Sequence, residues 1–176
     1  NNIASYTYTK AIGTSLDSNG DGIADSLQPN VRSVLNRYTG KQEAIELSSN
    51  CEISELSVRG ESDFSVPDAG YSYPASFMHF VSNCEEARIT VKQYYYDVVG
   101  SFTLRKHNTS LNTYFTVPDV SYSTQTINGH TVLTLTYQIA DNGDLDLNKT
   151  AGTIEDPVGL GTALQVPNTG LHTTSQ

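Results

Sequence analysis

The chain has 176 residues, enough for one domain with a real core or at most two small ones. Its net charge of −9 argues against nucleic acid and anionic membranes as partners, and its two cysteines fit no zinc motif. Tyr (11 residues) outnumbers Phe (5), Trp is absent, and Ser and Thr are abundant, a composition suited to half-buried pleated surfaces.

In chain order, residues 3–11 predict a strand with Tyr6 and Tyr8 on one face. Asp17-Ser-Asn-Gly-Asp-Gly-Ile-Ala-Asp25 follows. Asp17, Asn19 and Asp21 take loop positions one, three and five, the carbonyl of Ile23 position seven, and Asp25 position nine. Gly22 stands at position six, where a chain wrapping an ion must turn sharply. Ca2+ needs oxygen donors at this alternate spacing. Position twelve is Gln28 rather than the bidentate Glu of an EF-hand, and no amphipathic helix precedes Asp17. The segment therefore reads as an EF-hand-like loop outside an EF-hand; a solvated turn uses the same residue types.

Ser26–Leu35 reads as a helical turn or an irregular crossing. Gln42–Leu47 and Glu52–Arg59 read as strands joined across Cys51, and Gly60–Tyr73 as a long loop whose length invites a functional role. Ser76–Ser82, Ala87–Tyr95 and Val99–His107 are further strands, with a turn at Ser82–Glu85. Val120–Ile127 and Thr131–Ile139 flank Asn128-Gly129, the favoured hairpin turn, and Leu133, Leu135, Tyr137 and Ile139 share one face. No segment of useful length carries a helical period. The expected fold is all-β, an antiparallel β-sandwich (Ig-like or jelly-roll-like) with calcium-binding loops. A single domain is expected over 1–160, with loops at 17–28 and 141–156 and a polar tail over 161–176.

Cys51 and Cys84 flank strands, so a disulfide is the natural reading, with two buried free thiols the alternative. Closing the loop from Cys51 to Cys84, about 34 residues, adds roughly 3–4 kcal/mol in the chain-entropy model. Disulfide and calcium loop together point to an extracellular setting, so the sequence is expected to be a processed piece of an exported protein. Near the end, Asp141, Asp144, Asp146 and Asn148 offer a second oxygen cage that Asp156 joins if the chain folds back, or else a solvated acidic turn.

The first loop resembles those of thrombospondin type 3 repeats. The two loops in this order resemble the choice-of-anchor U domains of bacterial cell-surface proteins. The opening runs from Asp17 to Gln28, and the closing is Gly143-Asp144-Leu145-Asp146, then Gly152-Thr153-Ile154-Glu155-Asp156-Pro157. Asn19 replaces an Asp of the opening pattern, and Asp141 replaces the first Gly of the closing one. The resemblance spans about residues 15–160. It implies an exported protein attached to the cell surface by one of several anchors, with no enzymatic activity. Val166-Pro167-Asn168-Thr169-Gly170 is similar to the sortase signal, in which the Thr169 carbonyl would be attacked; a plain polar tail is the alternative.

The histidines (His79, His107, His130, His172) form no metal pair, no nucleophile elbow occurs, and Glu85-Glu86 read as surface acids. No catalytic residue is expected. Tyr94-Tyr95-Tyr96 offers rings for stacking on sugars, although alternation puts one side of the run in the core. The expected function is a calcium-binding structural or adhesive module, with one Ca2+ and a possible second. The alternatives are a pilus- or filament-type subunit assembling by strand addition and a carbohydrate-binding module. Expected partners are other surface proteins, neighbouring subunits or glycans.

Overall fold

The computed structural model describes residues 16–165. The expected strand at 3–11 and the sortase-like segment at 166–170 lie outside the described residues. The strands are β1 (Val31–Leu35), β2 (Gln42–Leu47), β3 (Cys51–Arg59), β4 (Tyr71–Ser72), β5 (Phe77–Cys84), β6 (Arg88–Tyr96), β7 (Thr103–Asn108), β8 (Thr113–Thr116), β9 (Ser121–Ile127), β10 (His130–Ala140) and β11 (Thr153–Ala163). They form two antiparallel sheets, one in the order β1-β2-β6-β10-β9 and one in the order β3-β5-β11-β7-β8, with β4 pairing the end of β11. The fold is the expected β-sandwich.

Alternation decides what fills it. Ile45, Ile89, Val91, Tyr95, Leu133, Leu135, Tyr137 and Ile139 of the first sheet meet Ile53, Met78, Phe80, Leu104, Ile154, Val158 and Leu160 of the second in one buried core. A β-bulge between Ile53 and Glu55 shifts the parity of β3. Ile53 and Val58 are therefore both buried despite their odd spacing, while Glu55 stays exposed. Asn128 (φ 51°) and Gly129 (φ 82°) carry the two left-handed positions of the β9–β10 hairpin, as their sequence predicts.

Three segments differ from expectation. Over Ser26–Leu35 a short 3-10 turn at Asp25–Leu27 meets the expected helical turn, but Val31–Leu35 is an edge strand paired with β2 from Val31↔Glu46 to Leu35↔Gln42. Ser82–Cys84 continues β5 instead of turning. Residues 153–156 are not loop but the start of β11, a central strand running to Ala163 and so past the expected boundary at 160. Its Pro and glycines hid it. Pro157 stands one residue before the stretch of β11 that pairs with β7. A Cβ at Gly159 would lie 2.9 Å from atoms of Phe77, Ser76 and Tyr73, so this strand needs a bare backbone where two aromatic side chains approach it.

Phe77 opens β5, and Tyr73 belongs to the long segment between β3 and β5, which packs on the outer face of the second sheet. Asp68 Oδ2 accepts both the Tyr73 hydroxyl and Arg105 (Nη2–Oδ2 2.9 Å), Arg105 stacks over the Tyr71 ring, and Phe64 packs on His107 and Phe77. The length of Gly60–Tyr73 is thus used for packing, and its Phe64 lies against the buried His107. Cys51 and Cys84 face one another across β3 and β5 and are bonded, as one of the two sequence readings holds.

Candidate functional site

The loop at 17–25 is wound around the carboxylate of Asp17. Its Oδ1 accepts the amides of Gly20 (2.9 Å) and Asp21 (3.1 Å), and its Oδ2 accepts that of Gly22 (2.7 Å). An aspartate does this readily because its short side chain reaches the amides of the following turn. Asp21 Oδ1 accepts Ile23 N–H (2.8 Å), and its Oδ2 accepts the side-chain amides of Asn19 (3.2 Å) and Gln28 (2.8 Å). Slight burial raises the Asp21 pKa, but the donors from Gln28, Ile23 and Asn19 outweigh it and hold the carboxyl below its ordinary value.

Asp25 is oriented differently. Both its oxygens turn to Ser18, accepting the backbone N–H (3.0 Å) and the hydroxyl (2.6 Å). Burial, and then the charges of Asp17 and Asp21, push its carboxyl up despite those two bonds. The Ile23 side chain is exposed. Among the described residues no three His, Cys, Asp or Glu side chains converge as a ready metal site. The loop's acids spend their oxygens on donors of the loop itself.

One atom does fit a cation. Gln28 Oε1, at position twelve, is buried without a hydrogen-bond partner, while its amide nitrogen bonds Asp21. Asp17 Oδ2, Asp21 Oδ1 and both oxygens of Asp25 accept one donor each and so keep a lone pair, whereas Asp17 Oδ1 and Asp21 Oδ2 already accept two. The donors are hard oxygens, the class that Ca2+ takes.

The loop is docked on the outer face of the first sheet by residues that the sequence did not single out for it. Tyr96 OH donates to Ser18 O (2.7 Å), and Asn128 Nδ2 to Asp17 O (3.1 Å). Glu46 Oε1 accepts both Asn19 Nδ2 (3.0 Å) and Tyr94 OH (2.8 Å). Tyr94 and Tyr96 share a small buried cluster with Ala44, Ile127 and Val132, and Tyr95 points into the main core. All three rings are 2–3% exposed, so the tyrosine run offers no open face for a sugar. Its outer side reads instead as the seat of the loop. A consecutive aromatic run beside an acidic loop was the available signal, but the contact joins residues far apart in sequence.

The second acidic loop is arranged otherwise. Asp146 is fully buried, and its carboxylate accepts the amides of Asn142, Asn148 and Glu155. Lys149 Nζ donates to the carbonyls of Asp146 (2.9 Å) and Gly143 (3.3 Å), so an ammonium already serves part of the loop. Asn148 Oδ1 accepts Thr150 N–H, and Asp141 Oδ2 accepts Gly152 N–H, leaving Asp141 Oδ1 buried and unpartnered. The Asp144 side chain enters no hydrogen bond or ion pair among the described residues. Asp156 does not join the loop. It lies inside the sandwich against Lys106 and Tyr137, because β11 begins before it and alternation turns it inward.

No family profile, curated protein or solved structure matches the chain.

Proposed function

We propose that this chain is a calcium-stabilised β-sandwich module of an exported surface protein, structural or adhesive rather than enzymatic, akin to choice-of-anchor U domains. What carries the reading is the first loop. Asp17, Asn19, Asp21, the Ile23 carbonyl, Asp25 and the unpartnered Gln28 Oε1 form an oxygen-rich turn seated on Tyr94, Tyr96 and Glu46. An ion there offsets the mutual repulsion of three carboxylates and fixes the loop against the sheet. Asp25 would exchange a Ser18 bond for the metal. The second loop makes a weaker case for an ion, since backbone amides hold Asp146, Lys149 serves two of its carbonyls and Asp156 lies in the core, leaving only Asp141 Oδ1 and the Asp144 carboxylate unpartnered among the described residues. The Cys51–Cys84 bridge suits export to an oxidising compartment.

The test is a thermal melt in millimolar calcium against excess chelator, with calorimetric titration to count ions. A site filled about a hundredfold over its dissociation constant adds roughly 2.7 kcal/mol by mass action. Asp21→Ala should abolish that gain. No calcium-dependent shift and no binding heat would sink the proposal, as would an Asp21→Ala variant that melts like the parent in calcium.

A further inference from the structure

The core of the sandwich holds a lysine. Lys106 on β7 and Asp156 on β11 are both fully buried, side chain against side chain. Their placement is fixed by register: Lys106 pairs with Val158, and Asp156 precedes Val158 by two residues on the same inward face. Leu104, Val158 and Leu160, the inward neighbours along these two strands, are fully buried as well. Leaving two charges in such a place costs several kcal/mol per ion unless every donor is served. An ammonium carries three N–H groups, yet among the described residues Lys106 Nζ makes one hydrogen bond, to Asp156 Oδ1. The other oxygen, Oδ2, accepts the hydroxyl of Tyr137. That hydroxyl is positioned in turn by Gln93 Nε2 (3.3 Å), and Gln93 Oε1 by Tyr95 OH (2.7 Å). A serviced carboxylate thus faces an underserved amine where water is excluded.

We propose that Lys106 and Asp156 condense spontaneously into an intramolecular isopeptide bond that links β7 to β11. A proton passes from the ammonium to Oδ1, turning the ion pair into a neutral amine beside a neutral acid. The Nζ lone pair attacks Cγ, and the oxyanion that develops on Oδ2 is held by the Tyr137 hydroxyl. A proton from nitrogen moves to the Oδ1 hydroxyl, which departs as water. The Nζ–Cγ bond forms, one Cγ–O bond breaks, nothing is oxidised or reduced, and one positive and one negative charge disappear together. Burial favours each stage. It lowers the Lys106 pKa, desolvation being the largest influence with Asp156 opposing it, and so favours the nucleophilic free amine. Fixed juxtaposition replaces a bimolecular encounter. The product amide presents one N–H where the ammonium presented three, and its carbonyl keeps the Tyr137 bond.

The cross-link has a clear place in the fold. The second sheet runs β3-β5-β11-β7-β8, so the disulfide ties its first pair of neighbours and the isopeptide ties β11 to β7. Locked this way, β11, the last of the described strands, resists extraction when the chain is pulled from its C-terminal side. The proposal does not depend on the calcium loop.

Intact-mass spectrometry of the full, disulfide-reduced chain tests it. The expected mass is one water below that of the sequence, and a tryptic digest should contain a branched peptide joining the Lys106 and Asp156 segments, with no cleavage after Lys106. Lys106→Arg and Asp156→Ala should each show the full mass, a readout that does not require those variants to fold. Tyr137→Phe keeps the ring and removes the donor, so it should accumulate uncrosslinked chain and convert slowly. A wild-type chain at its full mass would overturn the proposal. So would a lost water that maps to Asp21-Gly22, where aspartyl cyclisation releases the same mass.

Discussion

Glu43 offers the sharpest energetic prediction. It lies on β2 at 2% exposure; one oxygen accepts Asn36 Nδ2 (2.6 Å) and the other, Oε1, has no partner. Burial pushes its carboxyl from 4.5 up to about 7, against the lowering effect of Asn36. The folded state therefore holds this proton more tightly than the unfolded chain does. Below the ordinary value of 4.5 the group costs nothing. As pH rises through the window from 4.5 to about 7, stability is lost, and above it the penalty is complete. A shift of this size corresponds to about 3 kcal/mol. Glu43→Gln keeps the shape and the acceptor for Asn36 while removing the charge. It should match the parent near pH 4.5 and exceed it above pH 8 by about 3 kcal/mol, or roughly 6–12 °C in Tm. Urea unfolding of both chains at several pH values, with the disulfide intact, gives the difference free of other titrating groups. A stability difference that stays flat with pH would refute the reasoning, and a Glu43→Gln variant weaker than the parent at pH 8 would do so more strongly.

Gly20 has φ +73°, and a Cβ there would stand 3.2 Å from Ile127 Cγ2, so Gly20→Ala should cost about 1–2 kcal/mol and loosen the loop from the sheet. Urea melts and hydrogen exchange over residues 17–25 read both effects; unchanged exchange would contradict the docking. Tyr96→Phe removes the bond to Ser18 O and should lose about 1 kcal/mol, with faster exchange confined to the same loop. The double variant Cys51→Ala, Cys84→Ala should lose about 3–4 kcal/mol in urea unfolding, and a loss below about 1 kcal/mol would argue against loop-closure entropy as the bridge's main contribution.

Local signals made much of this protein legible from its sequence. Alternation along Thr131–Ile139 named the inward residues, Asn128-Gly129 named the hairpin turn, and the spacing from Asp17 to Asp25 picked out the wound loop, because each depends on neighbours within a few residues. Strand β11 was not legible. Its Asp, Pro and glycines oppose strand formation locally, and only the partners on both sides, with two aromatic side chains approaching Gly159, make it a central strand. The same tertiary decision moved Asp156 out of the acidic loop and into the core, beside a lysine 50 residues away in the chain. Likewise, alternation put one side of the tyrosine run in the core, but only the folded loop, held by Tyr96 and by Glu46 beside Tyr94, covers the other. The sequence by itself determined the β class, the hairpin and the oxygen-rich turn, since those follow from periodicity and turn chemistry. Only the tertiary structure decided which polar groups are buried together, because burial depends on what the opposite sheet and distant loops bring to a face.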